Sequence, residues 1–191
     1  QFPGVPFFYT WPSANKVRAY LQDEEAARLS ESVFATLLDQ LTKLPLDKIY
    51  IISHGMGARI VGHGTQQFIE RGNQTGKIKE IIFIAPDINA ELFKDVVAPK
   101  LMLMQGTRTT IYADSSDISL MSSKVVHGFR RVGESNGGVL VYRGIDTIDA
   151  SRLATGVRKP GSSVLENSQV RADIGEIISG KPRILRAIEV P

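Results

Sequence analysis

Six consecutive residues, Lys48-Ile49-Tyr50-Ile51-Ile52-Ser53, constrain this chain more than any others. They are β-branched and apolar on both faces, the pattern of a central parallel strand covered above and below. The turn His54-Gly55-Met56-Gly57 follows at once, and then a helical run to about Arg71 with Ile60, Phe68 and Ile69 apolar and Gly72 as its stop. A buried strand feeding directly into an amphipathic helix points to a parallel sheet covered by helices.

The rest of the chain repeats this alternation. Pro6-Phe7-Phe8-Tyr9 reads as a first strand, ended by the turn signal Trp11-Pro12-Ser13. A long helix carries Val17, Tyr20, Leu21, Val33, Leu37, Leu38 and Leu41 near one face and closes at Pro45. Residues 80–84 form another buried strand, and Pro86-Asp87 opens a short helix with Leu92, Phe93 and Val96. Leu101-Met102-Leu103-Met104 suggests core or a hidden strand, not a cofactor box. Thr110-Ile111-Tyr112-Ala113 is a strand, Asp114-Ser115-Ser116-Asp117 leads into a helix through Leu120 and Val125, and 132–138 is a polar, Gly-rich loop. The last helix spans 168–179 and ends at Gly180. No internal repeat or second domain is visible, so the expectation is one α/β domain over residues 1–191: a three-layer α/β/α sandwich on a mostly parallel sheet. Its 191 residues, 42% hydrophobic, are enough for a sizeable core.

Composition narrows the function. With no cysteine, disulfide scaffolds, thiolate metal sites and Cys nucleophiles are excluded. The net charge of +3 is spread along the chain without a dense basic run, which argues against nucleic acid as a partner. The longest apolar stretches, such as 81–86, are too short to span a bilayer, and a soluble chain of cytoplasm or periplasm is expected. His54, His63 and His127 are scattered without ligand spacing, so neither a metal nor another cofactor is expected.

The tight strand-to-helix turn is where an α/β-hydrolase carries its nucleophile, within a small-x-Ser-x-Gly pattern whose small residues let backbone and helix approach. Ser53, His54, Met56 and Gly57 keep that pattern, but Gly55 stands at its centre. A dinucleotide-binding loop is the rival reading of Gly55-Met56-Gly57; it wants Gly or Ala where Ile60 stands, and an acid about 20 residues on that is not there.

An ordered set of motifs favours the first reading. Trp11-Pro12-Ser13, Ala85-Pro86-Asp87-Ile88 with Leu92-Phe93, Ile111-Tyr112-Ala113-Asp114-Ser115-Ser116-Asp117 and Ile148-Asp149-Ala150-Ser151 resemble successive signatures of a mostly bacterial α/β-hydrolase family of unassigned substrate, related in fold to esterases and lipases. The resemblance covers nearly the whole chain. It implies Gly55 at the nucleophile position, Met56 as an oxyanion N–H donor and Asp117 as the triad acid. The family's histidine lies in a Gly-His-Ser-Tyr-like motif before the last helix, where this chain has Gly161-Ser162-Ser163-Val164, so Ser162 takes the base position. Glycine can form no acyl-enzyme, and serine does not relay a proton near neutral pH as imidazole does.

The family also carries an earlier strand, ending in a His-Gly motif, between the strand at Phe7–Tyr9 and the one at 48–53, and nothing here supplies it. Because the chain opens at Gln1, truncation is the expectation; the other account has the first strand moving over to fill the gap.

Other polar residues have ordinary readings. His54 precedes the elbow tip and points back into the fold; His63 is a surface or packing residue on the elbow helix. His127 reads as a helix end, with replacement base as its functional reading. Ser53 lies within the strand, facing a neighbour. Asp87 and Asp149 follow strand ends on the side where such folds bind ligands, as pocket or loop-capping residues. The tail over 181–191, with Arg183, Arg186, Ile184, Leu185 and Ile188, suits packing on the domain or meeting a partner. Two expectations follow: a pseudoenzyme that binds a small ester-like ligand or a protein through the old pocket, or a working serine-hydrolase-type esterase, either with an unconventional site using His127 or Ser53 or represented here by an altered version.

Overall fold

The computed structural model describes residues 4–14, 16–73, 75–153 and 163–181. Four strands, β1 (Ile49–His54), β2 (Ile78–Ile84), β3 (Arg108–Ala113) and β4 (Ile145–Asp149), form an all-parallel sheet in the order β1-β2-β3-β4. A short 3₁₀ turn leads into α1 (Tyr20–Lys43), and α2 (Gly57–Glu70) joins β1 to β2. Between β2 and β3 come α3 (Ala90–Leu92), a π-helical stretch (Phe93–Val97) and α4 (Ala98–Leu101). α5 (Ile118–His127) follows β3, and α6 (Ser163–Glu166) and α7 (Ser168–Ile178) follow β4.

The period-two alternation of the strands divides the interior. Ile81 and Phe83 of β2, Ile111 of β3 and Ile145 of β4 join one core with Phe34 and Leu38 of α1 and Ile60 and Phe68 of α2. Ile82, Ile84, Tyr112 and Ile148 join the other with Val170, Ile174 and Ile177 of α7. The sheet is therefore sandwiched as its composition requires, each fully buried Ile or Phe contributing about 1.5–3 kcal/mol. α1 and α2 approach closely at Gly64, where an added Cβ would stand 2.8 Å from the Glu31 carbonyl oxygen and from the Phe34 ring.

Three expectations need correction. Pro6-Phe7-Phe8-Tyr9 forms no strand. Tyr9 leaves the sheet direction to stack edge-on against Phe34 (5.4 Å) and donate its hydroxyl to Ser30 O (3.3 Å), while Phe7 and Phe8 stay exposed. It does not fill the edge beside β1. The helix after β2 starts at Ala90 instead of Pro86, because the Asn89 side chain caps it, accepting from the N–H groups of Glu91 and Leu92. Leu101-Met102-Leu103-Met104 is a helix end and turn with Leu101 and Met104 buried, so its core reading holds and its strand reading does not. No helix among the described residues is long and apolar enough to cross a membrane.

Candidate functional site

β1 ends at His54, and the chain reverses into α2 through Gly55, whose φ of +52° is the left-handed geometry of a sharp elbow. Three backbone bonds fix the tip: Gly55 N–H donates to Ile84 O (3.0 Å), and Gly55 O accepts from Ala58 N–H (3.2 Å) and Asp87 N–H (3.0 Å). A Cβ built on Gly55 would meet no atom within 4 Å, so the tip faces open space. Met56 is the N-cap residue of α2 with no side-chain cap, and among the described residues nothing accepts its N–H.

The flanking polar residues are placed differently. Ser53 is buried, its hydroxyl donating to Ile82 O at 3.4 Å. Asp117 is buried at the N-cap of α5, where its Oδ1 accepts from the N–H groups of Ser119 (2.7 Å) and Leu120 (3.2 Å). Burial lowers the pKa of His54, and the Asp117 carboxylate partly opposes that shift. Burial likewise lowers that of His63, in α2. Ser162 lies outside the described residues, as do Gly161 and 182–191, so the elbow can be set beside Gly55, Met56 and Asp117 only. No group of acids and histidines among the described residues could hold a metal ion.

Beside the elbow stands a polar network that sequence reasoning missed. Asp87, whose N–H holds the Gly55 carbonyl, is buried and accepts from the Tyr20 hydroxyl (2.5 Å) and the Ser123 hydroxyl (2.6 Å). Arg59, in the first turn of α2, donates to Asp87 O (2.6 Å) and the Tyr20 hydroxyl (2.8 Å) and pairs with Glu24. Arg131 Nε stands 3.3 Å from Asp87 Oδ1. Burial, then the Asp87 carboxylate, raises the pKa of the Tyr20 phenol far above normal. Burial opposes the charge on Arg59, but Asp87, Tyr20 and Glu24 outweigh it and raise its pKa. Both ring nitrogens of His127 have neighbours of their own: Nδ1 lies 3.0 Å from the Ser123 carbonyl oxygen and Nε2 2.9 Å from Glu24 Oε2. Ser123, although buried, donates its hydroxyl to Asp87 (2.6 Å) and stands 2.8 Å from the Tyr20 hydroxyl.

Loop 132–138 lies directly on this region. Gly133 N–H donates to Pro86 O (2.9 Å), Gly133 O accepts from Asp114 N–H (2.8 Å), and an added Cβ on Gly133 would fall 2.5 Å from the Ala85 carbonyl carbon. Ala85 itself has φ +43°, a strained conformation for a side-chain-bearing residue. Glu134 ties the loop to α5, accepting from Arg131 N–H (2.8 Å) and Lys124 Nζ (3.0 Å). Asp149 turns back on its own chain, accepting from the Ser151 hydroxyl (2.5 Å) and N–H (3.0 Å), a loop-capping role. The signal that could have found the network is helical spacing: Tyr20 and Glu24 on α1, and Ser123 and His127 on α5, are polar i,i+4 pairs on one helix face.

A family model described as "alpha/beta hydrolase of unknown function (DUF900)" matches residues 1–176. The chain is also 33% identical over 75 residues to the uncharacterized protein alr1448 of Nostoc sp. (strain PCC 7120), a match over 39% of this chain and 20% of that protein. It thus spans about a fifth of that relative's length. No solved structure matches the chain.

Proposed function

The chain belongs to this α/β-hydrolase family, and from that premise we propose that it is a hydrolase-fold domain without acyl-transfer chemistry, binding a small ester-like ligand or a protein at the mouth above Gly55. The observation that carries this reading is the elbow itself. Its left-handed tip, backbone clamps and open space are all present, and the residue at the tip has no nucleophile.

The chemistry follows from what each group can do. An ester carbonyl lying above Gly55 meets the Met56 N–H, a donor for a developing oxyanion, but no oxygen or sulfur to attack it. Asp117 is engaged at the start of α5 and orients that helix. The resemblance puts Ser162 at the base position, where no imidazole is available to take a proton. A site with an oxyanion donor and binding contacts but a dismantled triad retains at most a rate roughly 10³–10⁴-fold over water. Such a site holds a carbonyl-bearing group better than it turns one over.

The test is covalent labelling. A serine-directed fluorophosphonate should leave the chain unlabelled, while the Gly55→Ser, Ser162→His double variant should take the label at residue 55. Stoichiometric labelling of the unmodified chain would defeat the proposal.

A further inference from the structure

α5 turns its polar side to the protein and its apolar side to solvent. Leu120, Ser123 and His127 recur at helical spacing on the inner face. Leu120 and Ser123 are buried, but the contacts that fasten this face are polar. The Ser123 hydroxyl donates to Asp87 (2.6 Å), Arg131 Nη2 donates to the Ser123 carbonyl oxygen (3.4 Å), and His127 Nε2 stands 2.9 Å from Glu24 Oε2. The outer face carries Met121, Ser122, Val125 and Val126. Val125 is 84% exposed, Val126 54% and Met121 48%. Phe129, just past the left-handed Gly128 that ends the helix, is 60% exposed. A surface helix of a globular domain ordinarily has the reverse arrangement.

The charge around this face has one sign. From Ile118 to Arg131 the chain carries Lys124, Arg130 and Arg131 and no Asp or Glu. The acids close to it are drawn inward: Asp114 and Asp117 before the helix, Asp87 behind it and Glu134 after it are all buried. Glu24 meets His127 and Arg59 on the inner side. Lys124 reaches Glu134 with its ammonium (3.0 Å) while its side chain stays half exposed, and half-buried Arg130 donates to the Gly138 carbonyl oxygen. α5 follows β3, so a further strand beside β1 would extend the sheet on the side away from this face.

From this inverted helix we infer that the chain rests on an anionic lipid surface through α5, with Met121, Val125, Val126 and Phe129 in the boundary between headgroups and acyl chains and Lys124 and Arg130 beside the lipid phosphates. A basic helix with an apolar face lies in the plane of a membrane in this way, entering by about 5–10 Å without crossing it. The shape agrees: the face is convex, and Val125, its most exposed member, lies between Met121 and Phe129. A fluid interface accommodates such a projection. A second copy suits the face less well, because a twofold contact would set Lys124 and Arg130 against their own twins with no exposed carboxylate of this face to answer them. The contact is independent of the chemistry at Gly55.

Co-sedimentation with vesicles tests the inference. The chain should pellet with vesicles of phosphatidylcholine and phosphatidylserine in equal parts and stay in solution with phosphatidylcholine alone. Binding should weaken with salt, as the screening length falls from roughly 10 Å at 0.1 M to roughly 3 Å at 1 M. The Val125→Asp, Phe129→Asp double variant charges the apolar face without touching the buried side, so it should lose the vesicles and keep its circular dichroism. Leu29→Asp, at a comparably exposed residue of α1, should bind as the parent does. The chain contains no cysteine, so a single introduced thiol carries a fluorophore without background. An environment-sensitive dye on Val125→Cys should shift to shorter wavelength when the anionic vesicles are added, and the same dye on Leu29→Cys should not. A chain that ignores anionic vesicles, pelleting that survives the double substitution, equal binding to neutral vesicles, or equal dye shifts at residues 125 and 29 would overturn the inference. Self-association abolished by the same double substitution, in a chain that leaves vesicles alone, would overturn it in favour of a second copy.

Discussion

Replacing Gly55 by serine restores the side chain that the elbow lacks, and its cost in stability follows from two features of the structure. The φ of +52° is unfavourable for a side-chain-bearing residue, by about 1–2 kcal/mol. Steric cost is absent, because the added Cβ meets nothing within 4 Å. Loss of glycine's freedom in the unfolded chain returns about 0.4–1 kcal/mol. The net loss is about 1 kcal/mol, a fall in Tm of roughly 2–4 °C for a chain of this size. Gly133→Ala is the matched control, since its Cβ would sit 2.5 Å from the Ala85 carbonyl carbon, 2.6 Å from Pro86 N and 2.8 Å from Leu120 Cδ1. Two of those atoms are backbone, and overpacking of this kind costs about 3 kcal/mol, which lowers Tm by roughly 6–12 °C. Thermal and urea unfolding followed by circular dichroism measure both variants. A Gly55→Ser loss as large as that of Gly133→Ala would refute the argument that the elbow keeps room for a nucleophile.

Three further outcomes are expected. Asp87→Ala strands Arg131, a buried cation, and removes a carboxylate from Arg59; urea unfolding should show a loss of about 3–5 kcal/mol, and a loss under 1 kcal/mol would deny the network any structural weight. Asp117→Ala removes the α5 cap and should cost about 1 kcal/mol, with Asp117→Asn retaining most of it; equal losses in the two variants would mean that the carboxylate's charge, and not its capping oxygen, is what matters. Glu31 is half-buried, and burial pushes its pKa up to about 7 from 4.5. The neutral acid is the form the fold favours, so the stability it contributes is complete below pH 4.5 and lost as pH rises through about 7. Solvent screening of so exposed a group leaves an effect of about 1 kcal/mol; Glu31→Gln should therefore be the more stable chain at pH 8 and equal to the parent at pH 4, and a pH-independent difference would reject the assignment.

The parts of the fold that sequence revealed are those governed by local periodicity. The apolar run into β1, the stop at Gly72 and the end at Gly180, both in left-handed conformation, follow from residues adjacent in the chain. Phe7-Phe8-Tyr9 has the same composition as a strand, but a strand exists only through its neighbours, and Tyr9 found Phe34 and Ser30 instead. The elbow was legible because its chemistry is packed into five residues, 53–57. The network around Asp87 was not, because Tyr20, Arg59, Ser123 and Arg131 come from separated elements and meet only after the sheet has assembled. His127 shows the limit from the other side. Its position at the end of α5 was readable, while its contact with Glu24, across 103 positions of chain, depends on how α1 packs.

A glycine at the tip can form no acyl-enzyme, and pre-steady-state hydrolysis of a short-chain nitrophenyl ester reads this without intermediate steps. No burst of nitrophenolate is expected from the unmodified chain, with steady release at most roughly 10³–10⁴-fold over the uncatalysed rate. A burst stoichiometric with protein would contradict it, because an acyl-enzyme needs a nucleophile that Gly55 does not carry.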